Sequence, residues 1–127
     1  MFLKYSRANT KLKQLMNVEA LQRFLRPLNA IRRRVFSLDL LSGHSCPFAK
    51  DCLSKVKLIG SPGETKRTIV DGPDTLFRCF SASQEALYSG VYNLRKHNYD
   101  LLRQAKTSKE MFRLLNESLP AGVGVMR

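Results

Sequence analysis

Three cysteines carry the most distinctive chemistry in this chain. Cys46 and Cys52 share one segment, Cys46-Pro-Phe-Ala-Lys-Asp-Cys52, with five residues between them, and Cys79 stands two residues before a helix start at Ser81. Thiolate is the soft ligand of iron–sulfur clusters and of zinc, and three thiolates on a four-iron cluster leave one iron open to a small molecule. A helix opening near Ser81 would turn free N–H groups and its positive end toward the sulfurs, which suits an anionic cluster. His44, two residues before Cys46, would complete a closed structural zinc site with the three cysteines, or it is a loop histidine bonded to backbone. The spacing matches neither the two-residue zinc knuckle nor the ferredoxin runs. Residue types alone therefore leave three readings: a cluster, zinc, or three buried cysteines acting as small hydrophobes. A nucleophile pair drawn from Cys46 or Cys79 with His44 or His97 has no order or spacing in its favour.

These side chains need elements to hold them. Val35 to Leu41 is an apolar run with partial alternation, short enough for a buried strand, and the cysteine loop from Ser42 to Ser54 follows its C-terminal end. Lys55 to Ile59 and Thr65 to Val70 flank Gly60-Ser61-Pro62-Gly63, which predicts a surface hairpin with one polar face; Asp71-Gly72-Pro73-Asp74 is then a turn. Ser81 with Gln84 predicts a capping box opening one long helix through Leu87, Val91, Leu94, Leu101 and Leu102, whose Leu and Tyr stripe reads as core packing. Thr107 with Glu110 repeats the pattern for a second helix, Pro120 stops it, and Gly122 onward begins a strand.

Charge is the other anomaly: 22 Lys and Arg against 10 Asp and Glu give +12, a balance suited to phosphate or another anion. Residues 1–34 hold nine of the cations and a single acid, Glu19. They form a basic arm in which Asn9-Thr10 and Asn17 are candidate caps for short helical segments and Pro27 a stop. The arm is either a nucleic-acid contact or a solvated basic face, and its few aromatics, Phe2, Tyr5 and Phe24, make no RNA-binding stacking motif. With 127 residues, 43% hydrophobic and 25% charged, the chain has room for one folded module and is neither disordered nor collagen-like in composition. No apolar run approaches the roughly 18 residues of a membrane span. The polar residues after Met1-Phe2-Leu3-Lys4 lack a secretory pattern, so the expectation is a reducing cytoplasm, where an odd number of cysteines points away from disulfides. Gly60 to Thr68 lacks phosphate-loop spacing, Gly122-Val-Gly124 lacks the third glycine of a dinucleotide fingerprint, and Asn116-Glu-Ser118 is a glycosylation triplet without a secretory context.

The stretch from Ser37 to Cys52, with Gly43 in its turn and Cys46-Pro-Phe-Ala at its centre, resembles a phage-encoded family described as radical-SAM-like. Arg78-Cys79-Phe80-Ser81-Ala82 matches that family's later Cys-aromatic-Ser element, and Asn9-Thr10-Lys11-Leu12 its lead-in. The resemblance implies a 4Fe-4S cluster on Cys46, Cys52 and Cys79, with S-adenosylmethionine chelating the fourth iron and yielding a carbon radical on reductive cleavage; zinc remains the alternative metal. Phe48 and Phe80 flank these positions, as shields of the loop or as platforms for an adenine. The implied fold is α/β or α+β: a partial radical-SAM-like βα barrel segment, residues 35–127, with a surface hairpin and a helical basic arm over 1–34. A strand–helix unit takes about 30 residues or more, so the chain is too short to close a barrel. It is expected to be the cluster-loop portion of such a fold, either a truncated form or fragment without full catalysis or a protein completed by a second copy or a partner, in the cytoplasm of an infected host. The competing expectation is a small non-enzymatic protein whose arm binds nucleic acid or a host protein, its cysteines structural or on zinc.

Overall fold

Val35, Phe36 and Ser37 are all buried, the pattern of a strand covered on both faces, and this short run nucleates a mixed sheet. A computed structural model describes residues 1–7, 9, 13–14, 34–46, 54–62, 65–73 and 78–126. In it β1 (Ser6–Arg7) pairs antiparallel with β2 (Arg34–Ser37), and β5 (Val123–Met126) pairs parallel with β2 on its other side, with an irregularity between Arg34 and Val35. β2 ends earlier than the apolar run suggests. Ser37 Oγ donates to Asp39 Oδ2 at 3.1 Å, a local bond of the kind that competes with a ladder, and Leu38 onward is not strand.

The predicted hairpin forms: β3 (Lys55–Ile59) pairs antiparallel with β4 (Lys66–Val70) in unbroken register, Lys55 opposite Val70 and Ile59 opposite Lys66. The single long helix predicted from Ser81 is two. Helix α1 runs Phe80–Leu87 and α2 Ser89–Gln104, with Tyr88 extended between them at φ −114° and ψ 108°. The break falls where Ser89-Gly90, two poor helix formers, follow Leu87-Tyr88. The capping box at Ser81 does not form either: the N-cap of α1 is Cys79. Helix α3 (Ser108–Glu117) does open as predicted, Glu110 N donating to Thr107 Oγ1 at 3.1 Å, and Glu110 Oε2 accepts from Lys106 N at 2.8 Å.

Contacts divide the chain into two units. The first joins residues 1–39 to 101–127. Within it Leu3 is buried, its N–H donating to Ser118 Oγ at 2.9 Å, and Tyr5 Oη donates to Leu115 O at 3.0 Å, so the start of the chain lies on the end of α3. Burial raises the Tyr5 phenol above its ordinary value. A strand at Ser6–Arg7 therefore stands inside the stretch read as a helical arm. Lys13 N donates to Asn9 O at 2.8 Å, a helical turn where the cap was expected; the arm's remaining predicted helices, within 15–33, lie outside the described residues.

The second unit, 40–100, has its core at Leu41, Val56 and Tyr92, with Ile69, Ala86 and Tyr99 packed against it. Two of the three helix tyrosines are thus core residues as the stripe predicts, whereas Tyr88 at the helix break is exposed. The fold is α+β, and the strands among the described residues form a three-stranded and a two-stranded sheet and no closed barrel. No helix among those residues is long and apolar enough to cross a membrane.

Candidate functional site

The cysteine loop begins and ends at serines that are held in the same way. Ser42, buried, donates its N–H to Glu85 Oε1 at 3.0 Å and its hydroxyl to Glu85 Oε2 at 2.9 Å. Arg95 Nη1 donates to the same Oε1 at 3.0 Å and also to Ser81 O at 3.2 Å, while Nη2 reaches Gln84 Oε1 at 3.3 Å. Glu85 is 0% exposed, so a carboxylate sits in the interior with its charge met by one guanidinium and its lone pairs by a hydroxyl and a backbone amide. At the far end Ser54, equally buried, donates its hydroxyl to Asp71 Oδ1 at 2.9 Å. Arg78 grips Asp71 with two nitrogens, Nε to Oδ1 at 3.2 Å and Nη2 to Oδ2 at 2.8 Å. The Arg78 hydrogen bonds, then that from Ser54, hold the Asp71 carboxyl below the ordinary aspartate range.

Gly43 closes the loop between these ends. Its φ is +70°, and a Cβ built there would lie 2.4 Å from Ser54 O and 2.6 Å from Lys55 Cγ. Only glycine lets the entering and leaving strands of chain approach so closely, and the result is a loop pinched at its neck. Ser45 Oγ adds a bond to Leu41 O at 2.9 Å just inside it.

Cys46 emerges from the neck with an exposed, free thiol. Cys79 is also free and half-buried; it adjoins Arg78, and as N-cap of α1 its side chain makes no capping bond, while its carbonyl accepts from Ser83 N at 3.2 Å. The N–H groups of the helix's first turn, which have no partner within the helix, lie next to it. Cys52, Pro47 and Phe48 lie outside the described residues. Phe80 is 75% exposed beside Cys79. The donor chemistry of the two described thiols fits a thiolate-held metal group, since neither is spent on a disulfide. Among the described residues, of which Cys52 is not one, no three His, Cys, Asp or Glu side chains converge as a metal site.

His44 is exposed, and it has an aromatic neighbour. Its ring lies 5.3 Å from that of Tyr99 at an interplanar angle of 50°, and it borders an open hollow of about 410 Å³ together with Lys55, Lys57, Val70 and Pro73.

The four residues that frame the loop, Glu85, Arg95, Asp71 and Arg78, are absent from the sequence-based candidates. Glu85 had one legible sign: it stands three residues after Ala82, on the side of α1 that is buried, where a carboxylate needs a partner. Its partners are 43 residues before it and 10 after it, a distance no local pattern bridges.

No curated protein and no solved structure matches the chain. A family profile described as Gene product 88 matches residues 3–123, which include the pinched loop, the hairpin and helices α1 to α3. On that match, which spans nearly the whole sequence, the chain belongs to the Gene product 88 family.

Proposed function

We propose that this protein binds an iron–sulfur cluster through Cys46, Cys52 and Cys79, in the manner of the radical-SAM-like proteins its loop resembles. The observation that carries the reading is the setting of Cys79: a free thiol at the N-cap of an eight-residue helix, with no hydrogen bond spent on capping. Free N–H groups at that helix end favour an anionic cluster over a neutral surrounding. Cys46 is reachable from solvent beside a neck fixed by Gly43, Ser42 and Ser54, which brings the two ends of the loop together. A cluster of this kind supplies an open iron at which S-adenosylmethionine can be chelated and reductively cleaved. The parallel pairing of β2 with β5, across a connection that holds the hairpin and helices α1 to α3, is among the described residues the one feature shared with a βα barrel segment, the finer fold expected from the resemblance.

The test is purification without oxygen with iron and sulfide supplied, followed by metal and sulfide analysis and a visible spectrum. About four irons and four sulfides per chain are expected, falling to background in Cys79→Ser. An iron-loaded Cys79→Ser protein would overturn the ligand assignment. One zinc per chain, lost on His44→Ala as well as on Cys79→Ser, would instead identify the closed structural site.

A further inference from the structure

The hairpin carries a second feature, independent of the cysteines. Side chains alternate along β3, and directly opposed residues of an antiparallel pair share a face. Lys55, Lys57 and Ile59 therefore lie on one face, with Val70, Thr68 and Lys66 opposite them in turn. The other face holds Val56 and Ile69, which meet the core. Among the described residues the outward face thus bears three lysines and no acid, and its cations stand on three successive rungs of that face: Lys55, then Lys57, then Lys66 opposite Ile59. Lys55 and Lys57 stand about 6.7 Å apart on β3, and Lys66 stands on the next rung but on the neighbouring strand, so the three charges form a bent row reaching roughly 13 Å along the hairpin. Asp71, the acid that follows β4, also lines the adjoining hollow, where its carboxylate is held by Arg78 and Ser54.

We infer that this face binds single-stranded nucleic acid, its lysine row following successive phosphates and the adjoining hollow receiving an unstacked base. Cations spread over three rungs suit a polyanion better than a lone phosphate, which would meet one rung. The hollow, about 410 Å³, begins where the row begins, between Lys55 and Val70. Its apolar walls at Val70 and Pro73, with the His44 ring, offer a surface for a planar base. The carboxylates of an acidic peptide would satisfy the lysines and leave that apolar volume unfilled. Thr68, opposite Lys57, supplies a hydroxyl for a phosphate or sugar oxygen. The contact is sequence-tolerant, because nothing in the row reads base edges. It is also distinct from the basic arm, which holds a further net +8 in residues 1–34.

Anisotropy of dye-labelled single-stranded DNA and RNA oligonucleotides, titrated with the full chain across a range of salt, tests the inference without reference to metal content. Relative to the unaltered protein, the Lys55→Gln/Lys57→Gln/Lys66→Gln variant is expected to bind at least about tenfold more weakly at low salt. Its slope of log affinity against log salt should be shallower by about 2, at roughly 0.7 for each phosphate that is no longer neutralised. Lys57→Gln alone, at an exposed position, should flatten the slope by about 0.7 and leave the circular dichroism spectrum unchanged. An unchanged affinity and slope in Lys57→Gln and the triple variant would assign any binding to the arm and overturn the inference. No binding at low salt would do the same, as would polyglutamate competing as well as the oligonucleotide.

Discussion

The two ends of the cysteine loop are built from the same three groups, a serine, a carboxylate and an arginine, placed in opposite surroundings. At the entrance, Ser42, Glu85 and Arg95 are removed from water, with Glu85 fully buried and the Arg95 side chain 13% exposed. At the exit, Asp71 and Arg78 lie at the surface, their side chains 35% and 54% exposed, and only Ser54 is buried. The bond lengths hardly differ: 2.9 Å from each serine hydroxyl to its carboxylate, and 3.0 Å against 2.8 Å for the closest arginine contacts. Geometry is therefore not what separates the two ends. In low dielectric, removal of either charge strands the other, whereas at the surface water and salt replace what is removed. The entrance is a structural commitment of the second unit, and the exit is a latch that solvent can compete for.

The sharpest way to break that contrast is to delete the buried carboxylate. Glu85→Ala leaves the Arg95 guanidinium, the Ser42 hydroxyl and the Ser42 amide without their acceptor, and should cost about 3–5 kcal/mol. That is a large part of the roughly 5–15 kcal/mol typical of a folded domain. Urea unfolding followed by circular dichroism measures it. Glu85→Gln keeps the shape and one acceptor oxygen and should fall between Glu85→Ala and the unaltered protein. If Glu85→Ala costs no more than an exposed substitution, the interior ion pair is not a determinant of the fold, and the contrast between the ends disappears.

Gly43 lies between the two clusters and sharpens the comparison by asking whether the neck itself is required. Gly43→Ala demands a left-handed backbone from a residue with a Cβ and drives that atom to 2.4 Å from a backbone oxygen that cannot rotate away. The expected loss of stability is about 2–3 kcal/mol. Gly90, within α2, has open space where its Cβ would be, so Gly90→Ala should raise stability by up to about 1 kcal/mol. The pair, compared at the urea midpoint, separates a glycine required by close approach from one that is not.

The range of the forces involved decides how much of the fold was legible in the sequence. The hairpin and α3 were legible because their signals are local: alternation with a Gly-Ser-Pro-Gly turn in one, Thr107 with Glu110 in the other. The division into α1 and α2 was not, because the apolar stripe continues across Tyr88, and periodicity does not register a change of ψ at a single residue. Cys79 displaced Ser81 as N-cap, although both precede a run that suits a helix, because a cap is decided by backbone geometry that packing sets. The cysteines stood out by residue type alone. The residues that hold their loop did not, since Ser42, Glu85 and Arg95 meet only once the chain has folded. Long-range ion pairs leave no periodic trace, and the only sign of this one was a carboxylate on the buried side of a helix.

The surface cluster is best tested by acid, which discharges it without altering a residue. Asp71 has its carboxyl lowered by Arg78 and then by Ser54, so the folded state binds its proton more weakly than the unfolded chain does. The stabilisation this supplies is complete at pH values above the unfolded carboxyl's range, about 4, and fades as pH falls through the lower folded value. Asp71→Asn should accordingly be less stable than the unaltered protein by a constant amount above about pH 5, and the two should converge as the medium becomes acidic. Thermal unfolding of both proteins across that range measures the difference. Because the pair faces solvent, the deficit should be the smallest of the three and should shrink with added salt, while that of Glu85→Ala should hold nearly constant. A deficit in Asp71→Asn that ignores both acid and salt would show that Asp71 acts by holding the Ser54 hydroxyl alone. The two ends of the loop would then differ in which partner matters and not in how far water screens them.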